Sequence, residues 1–178
     1  MEILHYSRIN SPVGPLVLGM SEAGLAVLAF GHELPVTLAG RPVNWQESSS
    51  ACAEVHQQLD EYFAGRRREF AMPLDLRGTD FQRECWDQLL SIPYGETRSY
   101  GEIARAVKRP NAYRAVGQSN HHNPVAIIVP CHRVLAGGKA LGGYGGGLPT
   151  KAFLLRLEGA AFRDELAARK SQETLAFT

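Results

Sequence analysis

The sequence predicts an α+β protein built as two modules. A small N-terminal α/β module, an antiparallel sheet plus a helix, comes first. A mostly helical domain containing a helix-turn-helix follows. Three observations carry this expectation. Short apolar runs punctuated by glycine and proline crowd the first 76 residues, as strands and turns do. Two capping-box patterns, Thr79-x-x-Gln82 and Ser99-x-x-Glu102, then open helical stretches. Charge is also divided: residues 1–97 hold 7 Lys+Arg against 13 Asp+Glu, and residues 98–178 hold 12 against 5. The boundaries read as 1–76 for the first module, 77–163 for the second, and 164–178 for a polar tail.

Residues 3–9, 16–20 and 25–30 read as strands, the last two joined by the hairpin loop Ser21-Glu22-Ala23-Gly24. Residues 31–47 show no sustained period and carry Pro35, Gly40 and Pro42, so a loop is expected. Ser48–Ser50 can cap a helix with Cys52, Val55, Leu59 and Tyr62/Phe63 on one apolar stripe and Gly65 at its end. Phe70–Leu76 alternates like an edge strand interrupted by Pro73. From Thr79 a helix runs to Leu90, with Phe81, Cys85 and Leu89 on one face. Ile92-Pro93-Tyr94-Gly95 breaks the chain. Two short helices follow, one to about Val107 and one over 112–120, separated by Lys108-Arg109-Pro110-Asn111, with Asn111 able to cap the second. That is helix-turn-helix spacing.

The segment Val125–Val134, VAIIVPCHRV, organises what remains. Its uncharged, mostly β-branched start predicts a strand buried on both faces, ended by Pro130. Cys131, His132 and Arg133 then place a thiol, an imidazole and a guanidinium where a core strand meets a turn. Cysteine attacks as the thiolate, so such neighbours suit a nucleophile, although a core cysteine beside two polar residues has the same pattern. A glycine-dense loop, 137–147, surrounds Tyr144 and allows close approach of a ligand to backbone. A helix over 151–159 should turn Phe153, Leu154 and Leu157 inward. Glu158 near its C-terminus opposes the helix dipole and calls for a partner.

Composition narrows the function classes. No apolar run approaches the roughly 20 residues of a membrane span, and MEILHYSRIN lacks the features of a signal peptide. Three cysteines, an odd and small number, argue against a disulfide framework and suit a reducing cytoplasm, the expected location. His5, His32, His56 and Cys52 are scattered without metal-ligand spacing, so no metal is expected. A basic second half around a candidate nucleophile suggests a polyanionic partner such as nucleic acid.

Five ordered blocks go further. Ile92-Pro93-Tyr94-Gly95 with Ser99-Tyr100, Arg114-Ala115-Val116-Gly117, Asn123-Pro124, Pro130–Val134, and Tyr144-x-Gly-Gly ahead of Leu157-Glu158 closely resemble the O6-alkylguanine-DNA alkyltransferases. The resemblance is strong over about residues 70–160 and general before that. It implies direct, single-use transfer of an alkyl group from O6-alkylguanine in DNA, with O4-alkylthymine as a second substrate, to an internal cysteine after base flipping, with no metal or organic cofactor. Cys131 would be the nucleophile. His132 would take its proton through a bridging water, Glu158 would orient the imidazole, and Tyr100 would donate to the base. Arg114, flanked by Ala112 and Tyr113 on the second helix, would enter the minor groove of double-stranded DNA, and Asn123 would fix the following turn. Val134, Tyr144 and Gly145 would line the base pocket. The expected state is a monomer, with cooperativity along DNA left open. Tyr113, His122 and Gly145 depart from the family's usual residues. Two other classes compete, a non-enzymatic lesion binder of the same fold and a cysteine hydrolase using Cys131 and His132.

Overall fold

In the computed structural model, which describes residues 1–176, a five-stranded sheet carries the N-terminal module. The strands are β1 (Glu2–Ile9), β2 (Leu16–Ser21), β3 (Gly24–Phe30), β4 (Thr37–Leu38) and β5 (Arg41–Glu47), in the order β3-β2-β1-β5-β4. The meander β1-β2-β3 is antiparallel, with Ser7 opposite Leu18 and Leu18 opposite Leu28. β5 joins the other edge of β1 in parallel, Leu4 facing Trp45. The sheet is therefore mixed, where the sequence predicts an antiparallel one, and residues 31–47 hold two strands instead of a loop. The signal was thin, because only Val43 and Trp45 face inward. Trp45 bonds Pro35 O through Nε1 at 2.7 Å and lies where a Cβ on Gly19 would come within 2.6 Å of its ring.

The expected edge strand at 70–76 also fails to form. Pro73 lacks the donor a ladder needs, and only one bridge, Leu74 to Leu25, remains. The first helix, α1 (Ala53–Phe63), buries Cys52, Val55, Leu59 and Tyr62 along the expected stripe. Ser48 and Ser50 do not cap it. Cys52 holds the N-cap position without a side-chain bond, and Ser48 Oγ instead accepts from Ala51 N at 3.3 Å.

Both capping boxes form reciprocally, Thr79 with Gln82 on α2 (Asp80–Leu90) and Ser99 with Glu102 on α3 (Tyr100–Ala106). Helix α4 (Tyr113–His121) packs against both. Ala112, not Asn111, takes its N-cap, with no side-chain bond. The buried Trp86 of α2 donates to Ser119 O of α4 at 2.9 Å, fixing the helix-turn-helix to its support. Short strands β6 (Arg98–Ser99) and β7 (Val134–Leu135) pair in parallel. Helix α5 (Leu148–Leu157) starts earlier than expected, with Pro149 in its first turn, where proline costs no hydrogen bond. It buries Lys151, Ala152, Leu154 and Leu155, while Phe153 and Leu157 are only partly covered. Residues expected as a frayed tail form α6 (Glu165–Ala176), started by Asp164 Oδ1 accepting from Ala167 N at 3.1 Å. Residues 177–178 of that tail lie outside the described residues. No described helix is long and apolar enough to cross a membrane.

The principal correction concerns residues 125–129. They are buried as expected but make a tight turn, not a strand. One bridge joins Val125 to Leu28 of β3, and the chain then folds back so that Val129 N bonds Val125 O at 3.0 Å. Ile127 adopts φ 69°, a costly conformation for a β-branched residue. The apolar run reports burial on all sides, which a turn sunk in a core shares with a central strand. One hydrophobic core holds this turn, Leu18, Leu25 and Leu28 of the sheet, and Trp86, Leu89, Val116 and Leu154 of the helices. The two modules thus fold around shared contacts.

Asn123 ties the turn. Its Oδ1 accepts from Val125 N at 3.0 Å, and its Nδ2 donates to Val129 O at 2.8 Å and Cys131 Sγ at 3.2 Å. Asn123→Ala leaves the buried Val125 N–H without a partner and removes one of the two donors to Val129 O, so a loss of roughly 1–3 kcal/mol is expected. Urea titration should show a lower midpoint with an unchanged m-value. A midpoint equal to wild type would mean the turn holds itself.

Candidate active site

Cys131 begins a single 3-10 turn, Cys131–Arg133, directly after the Asn123-braced loop. Its thiol is 8% exposed and opens onto a cavity of about 520 Å³. Burial raises the thiol's pKa. The Asn123 bond, the Lys151 charge and the backbone N–H groups of Cys131 and His132 oppose that rise. The resting thiol is therefore protonated and needs a base.

The 3-10 turn sends the next two side chains the opposite way, toward Glu158 at the C-cap of α5. His132 Nε2 lies 2.8 Å from Glu158 Oε1. Arg133 donates through Nε to Oε2 and through a terminal nitrogen to Oε1, both at 2.9 Å, and to Ile92 O at 2.7 Å. Tyr62, from α1 of the other module, donates to Oε1 at 2.7 Å. The Glu158 and His132 side chains have no exposed surface. Burial works to raise the Glu158 pKa, but the bonds and charges of His132 and Arg133 prevail and hold it at about 2. Burial pulls His132 below its ordinary value, against the pull of Glu158. Neutral His132 facing an ionised carboxylate must carry its proton on Nε2, since the carboxylate can only accept. Nδ1 then presents a bare lone pair, and it has no partner.

That atom has company. Among the described residues, the buried side-chain polar atoms lacking a partner are His132 Nδ1, the Tyr144 hydroxyl, and both polar atoms of Asn120. Tyr144 and Asn120 line the same cavity as Cys131, with Tyr100, Gly117, Gln118, His121, Gly143 and Gly145. Buried polar atoms are nearly always paired in native proteins, so their concentration at one thiol marks a ligand site. Burial raises the Tyr100 and Tyr144 pKa values, the Cys131 thiol adding to both, so both phenols stay donors. The 142–147 loop is braced from two sides. Lys151 is fully buried and donates to the carbonyls of Val134, Leu141 and Gly143 at 2.6, 2.5 and 3.2 Å. Phe30 of β3 meets the Tyr144 ring edge-on at 5.7 Å and leaves no room for a Cβ on Gly146. Gly145 is open, with nothing within 4 Å of an added Cβ.

Cys131, Tyr100, Tyr144 and Gly145 line this cavity, while His132, Glu158 and Val134 are buried outside its lining. Arg114 and Tyr113 stand apart at the exposed start of α4, with Ala112 half-buried before them. The Arg114 guanidinium sits 5.9 Å from the Tyr113 ring. Asn123, grouped with them but expected to fix the turn after the second helix, lies on that turn and bonds its backbone. Sequence reasoning assigned no site role to Tyr62, Arg133, Lys151 or Asn120. Arg133 adjoins the cysteine and offered a signal, whereas Tyr62 looks like any residue of an apolar stripe. No described group of three or more His, Cys, Asp or Glu side chains could hold a metal ion.

The depressed Glu158 pKa makes stability depend on pH. A carboxyl whose folded pKa is about 2, against an ordinary 4.5, contributes stability fully present above 4.5. That contribution disappears as pH falls toward 2. Glu158→Gln should flatten this acid limb in thermal melts between pH 5 and pH 2. At neutral pH it should cost roughly 3–5 kcal/mol, because Arg133 is left buried without its counter-charge. An acid limb as steep as wild type would assign the pH dependence to other carboxylates.

Comparison with known proteins agrees over both modules. Residues 4–76 match the family model described as "6-O-methylguanine DNA methyltransferase, ribonuclease-like domain", and residues 80–160 match its "DNA binding domain". The chain is 50% identical over 156 residues to a Mycobacterium tuberculosis protein named methylated-DNA–protein-cysteine methyltransferase, covering 88% of this chain and 93% of that one. A protein of the same name from Methanosarcina barkeri is 45% identical over 160 residues, covering 87% and 97%. Among solved structures, M. tuberculosis OGT in complex with DNA superposes with a TM-score of 0.80 at 50% identity, covering 87% of this chain and 92% of that one. The chain belongs to the 6-O-methylguanine DNA methyltransferase family.

Proposed function

We propose that the protein repairs DNA by moving an alkyl group from O6 of guanine, and from O4 of thymine, irreversibly onto Cys131. The observation that carries this reading is a protonated thiol lining the cavity, followed in the chain by a buried imidazole whose Nδ1 is unpaired and whose Nε2 faces a carboxylate. That is a nucleophile, a base and an orienting group. The names of the relatives support it. The thiol proton passes to His132 Nδ1 through one water, since consecutive side chains do not face each other. Sulfur attacks the alkyl carbon, and the C–O6 bond breaks with its electron pair left on the base. The Tyr100 hydroxyl donates to the purine as that charge develops, and the proton taken up by His132 returns through water to leave neutral guanine and a neutral imidazole. A thioether on Cys131 cannot be hydrolysed by anything in the site, so each molecule reacts once.

The target atom is inaccessible in a duplex, so the nucleotide must be flipped out at a cost of a few kcal/mol. Arg114, on the exposed end of α4, is suited to enter the minor groove and fill the vacated stack. Val134, Tyr144 and the backbone at Gly145 would hold the extruded base. Asn120 offers a further donor and acceptor at the same cavity.

Intact-mass analysis after incubation with methylated duplex DNA should show a stable gain of one methylene, mapped by peptide digestion to Cys131. Cys52 and Cys85 are buried, and burial raises both thiols. Cys131→Ser should still bind DNA. No mass gain would leave a lesion binder, and turnover of an ester would indicate a hydrolase.

Arg114→Ala should slow repair of duplex DNA by a factor corresponding to roughly 1–3 kcal/mol, the scale of lost stacking on a base. Reaction with free O6-benzylguanine, which needs no flipping, should be nearly unchanged. Equal slowing of both reactions would place the defect in the active site and refute the flipping role.

A further inference from the structure

Glu158 receives four donated hydrogen bonds, and they are unequally shared. Oε2 accepts only from Arg133 Nε. Oε1 accepts from His132, from Arg133 and from Tyr62. Tyr62 alone among these donors comes from the N-terminal module, where it is the penultimate residue of α1. Nothing about packing requires a hydroxyl at that point, because the ring is already fixed. It meets Phe63 at 5.4 Å, Phe70 at 5.3 Å and Tyr94 at 6.3 Å between centroids, and has no exposed surface. The hydroxyl thus reaches Oε1 from a rigid aromatic cluster.

We propose that Tyr62 is a positioning residue for the alkyl-transfer site, supplied by the N-terminal module. Its hydroxyl fixes the Glu158 carboxylate and limits how tightly that carboxylate holds His132. This rests on the reading above in which His132 takes the thiol's proton. A carboxylate oxygen has two lone pairs, so three donors at Oε1 compete. Each withdraws charge that would otherwise stabilise the imidazolium. The groups facing the carboxylate are Tyr62 from α1, Tyr94 from the loop before β6, His132 and Arg133 from the 3-10 turn, and Tyr144 from the glycine loop. Besides His132 itself, only Tyr62 among these combines a neutral donor with a direct bond to Oε1.

Removing the hydroxyl has a definite sign. In Tyr62→Phe, Oε1 loses a competing donor and interacts more strongly with His132. The imidazolium is stabilised, so the apparent pKa of the Cys131 thiol falls. Glu158→Gln removes the charge itself and raises that pKa. The looser carboxylate and the less nucleophilic thiolate should also lower the limiting rate by on the order of tenfold, the scale of one hydrogen bond to a charged group.

The experiment is the rate of Cys131 alkylation by free O6-benzylguanine across pH. It is run for wild type, Tyr62→Phe, Glu158→Gln and the double variant, at a temperature where melts show all four folded. The inference expects opposite pKa shifts in the single variants. It also expects the Tyr62→Phe effect to vanish once Glu158 is Gln, the signature of one residue acting through another. Replacing Tyr62 with 3-fluorotyrosine, a stronger donor of nearly the same shape, should raise the thiol's apparent pKa. An equal Tyr62→Phe effect in both backgrounds, or a rate–pH profile like wild type, would reduce Tyr62 to a packing residue and overturn the inference. Should Glu158→Gln itself leave the profile unmoved, the proton-relay reading fails instead, which separates the two outcomes.

Discussion

A carboxylate with no exposed surface constrains most of this molecule. Removing Glu158 from water costs several kcal/mol unless charge and hydrogen bonds replace the lost solvation. The replacements come from three places in the chain: Tyr62 in the first module, and the consecutive His132 and Arg133 in the second. Arg133 supplies the neutralising charge in a two-point geometry that lysine could not reproduce. The helix that ends in Glu158 is thereby pinned to the turn that begins with Cys131. Gly95 allows this arrangement to close, since a Cβ there would come within 3.0 Å of the Glu158 carbonyl. Tyr94 seals the same seam by donating to Leu157 O at 3.2 Å.

The thiol's position follows from a second constraint, the folding back of 125–129. A strand would have carried Cys131 onward in an extended line. The turn instead reverses the chain beneath it and aims Sγ at the cavity, while the following 3-10 turn sends His132 and Arg133 toward the buried carboxylate. Asn123 joins the two devices, because the same amide nitrogen that closes the turn also touches the sulfur. Ile127 at φ 69° is the strained residue in this arrangement. Such strain persists where surrounding packing over-determines the backbone, and here both modules supply that packing.

The features legible in the sequence share one property: each was local. The capping boxes at Thr79 and Ser99 are satisfied within four residues, so pattern and structure coincide. The partner called for by Glu158 at a helix C-terminus is present as Tyr62, His132 and Arg133, because a charge opposing a dipole demands compensation wherever it sits. What was illegible depended on distant partners. β5 exists because β1 has a free edge for a parallel neighbour, and Arg41-Pro42 at its start disguised the two inward positions. The core turn read as a strand because burial on all sides erases periodicity. Tyr62 is separated from Glu158 by 96 residues, and no local pattern distinguishes its hydroxyl from an idle one. α6 was read as a tail because its contacts are few, and Asp164 alone marks its start.

The electrostatics of the resting site also fit a nucleophile that is used once. A cysteine left as a thiolate in contact with solvent is open to oxidation and stray electrophiles. Burial keeps this thiol protonated, and burial likewise keeps His132 neutral. Both conditions are opposed, because Asn123, Lys151 and two backbone N–H groups already favour the sulfur anion, and Glu158 already favours the imidazolium. Proton transfer between the two groups therefore creates charges whose counterparts are in place before the reaction begins. That is preorganisation in the electrostatic sense, with dipoles aimed where charge develops and little left to rearrange. A substrate that fills the cavity further excludes water and strengthens those same interactions. Under the proposed function, reactivity is thus tied to occupancy: the thiol is quiet when the site is open and activated when a base occupies it.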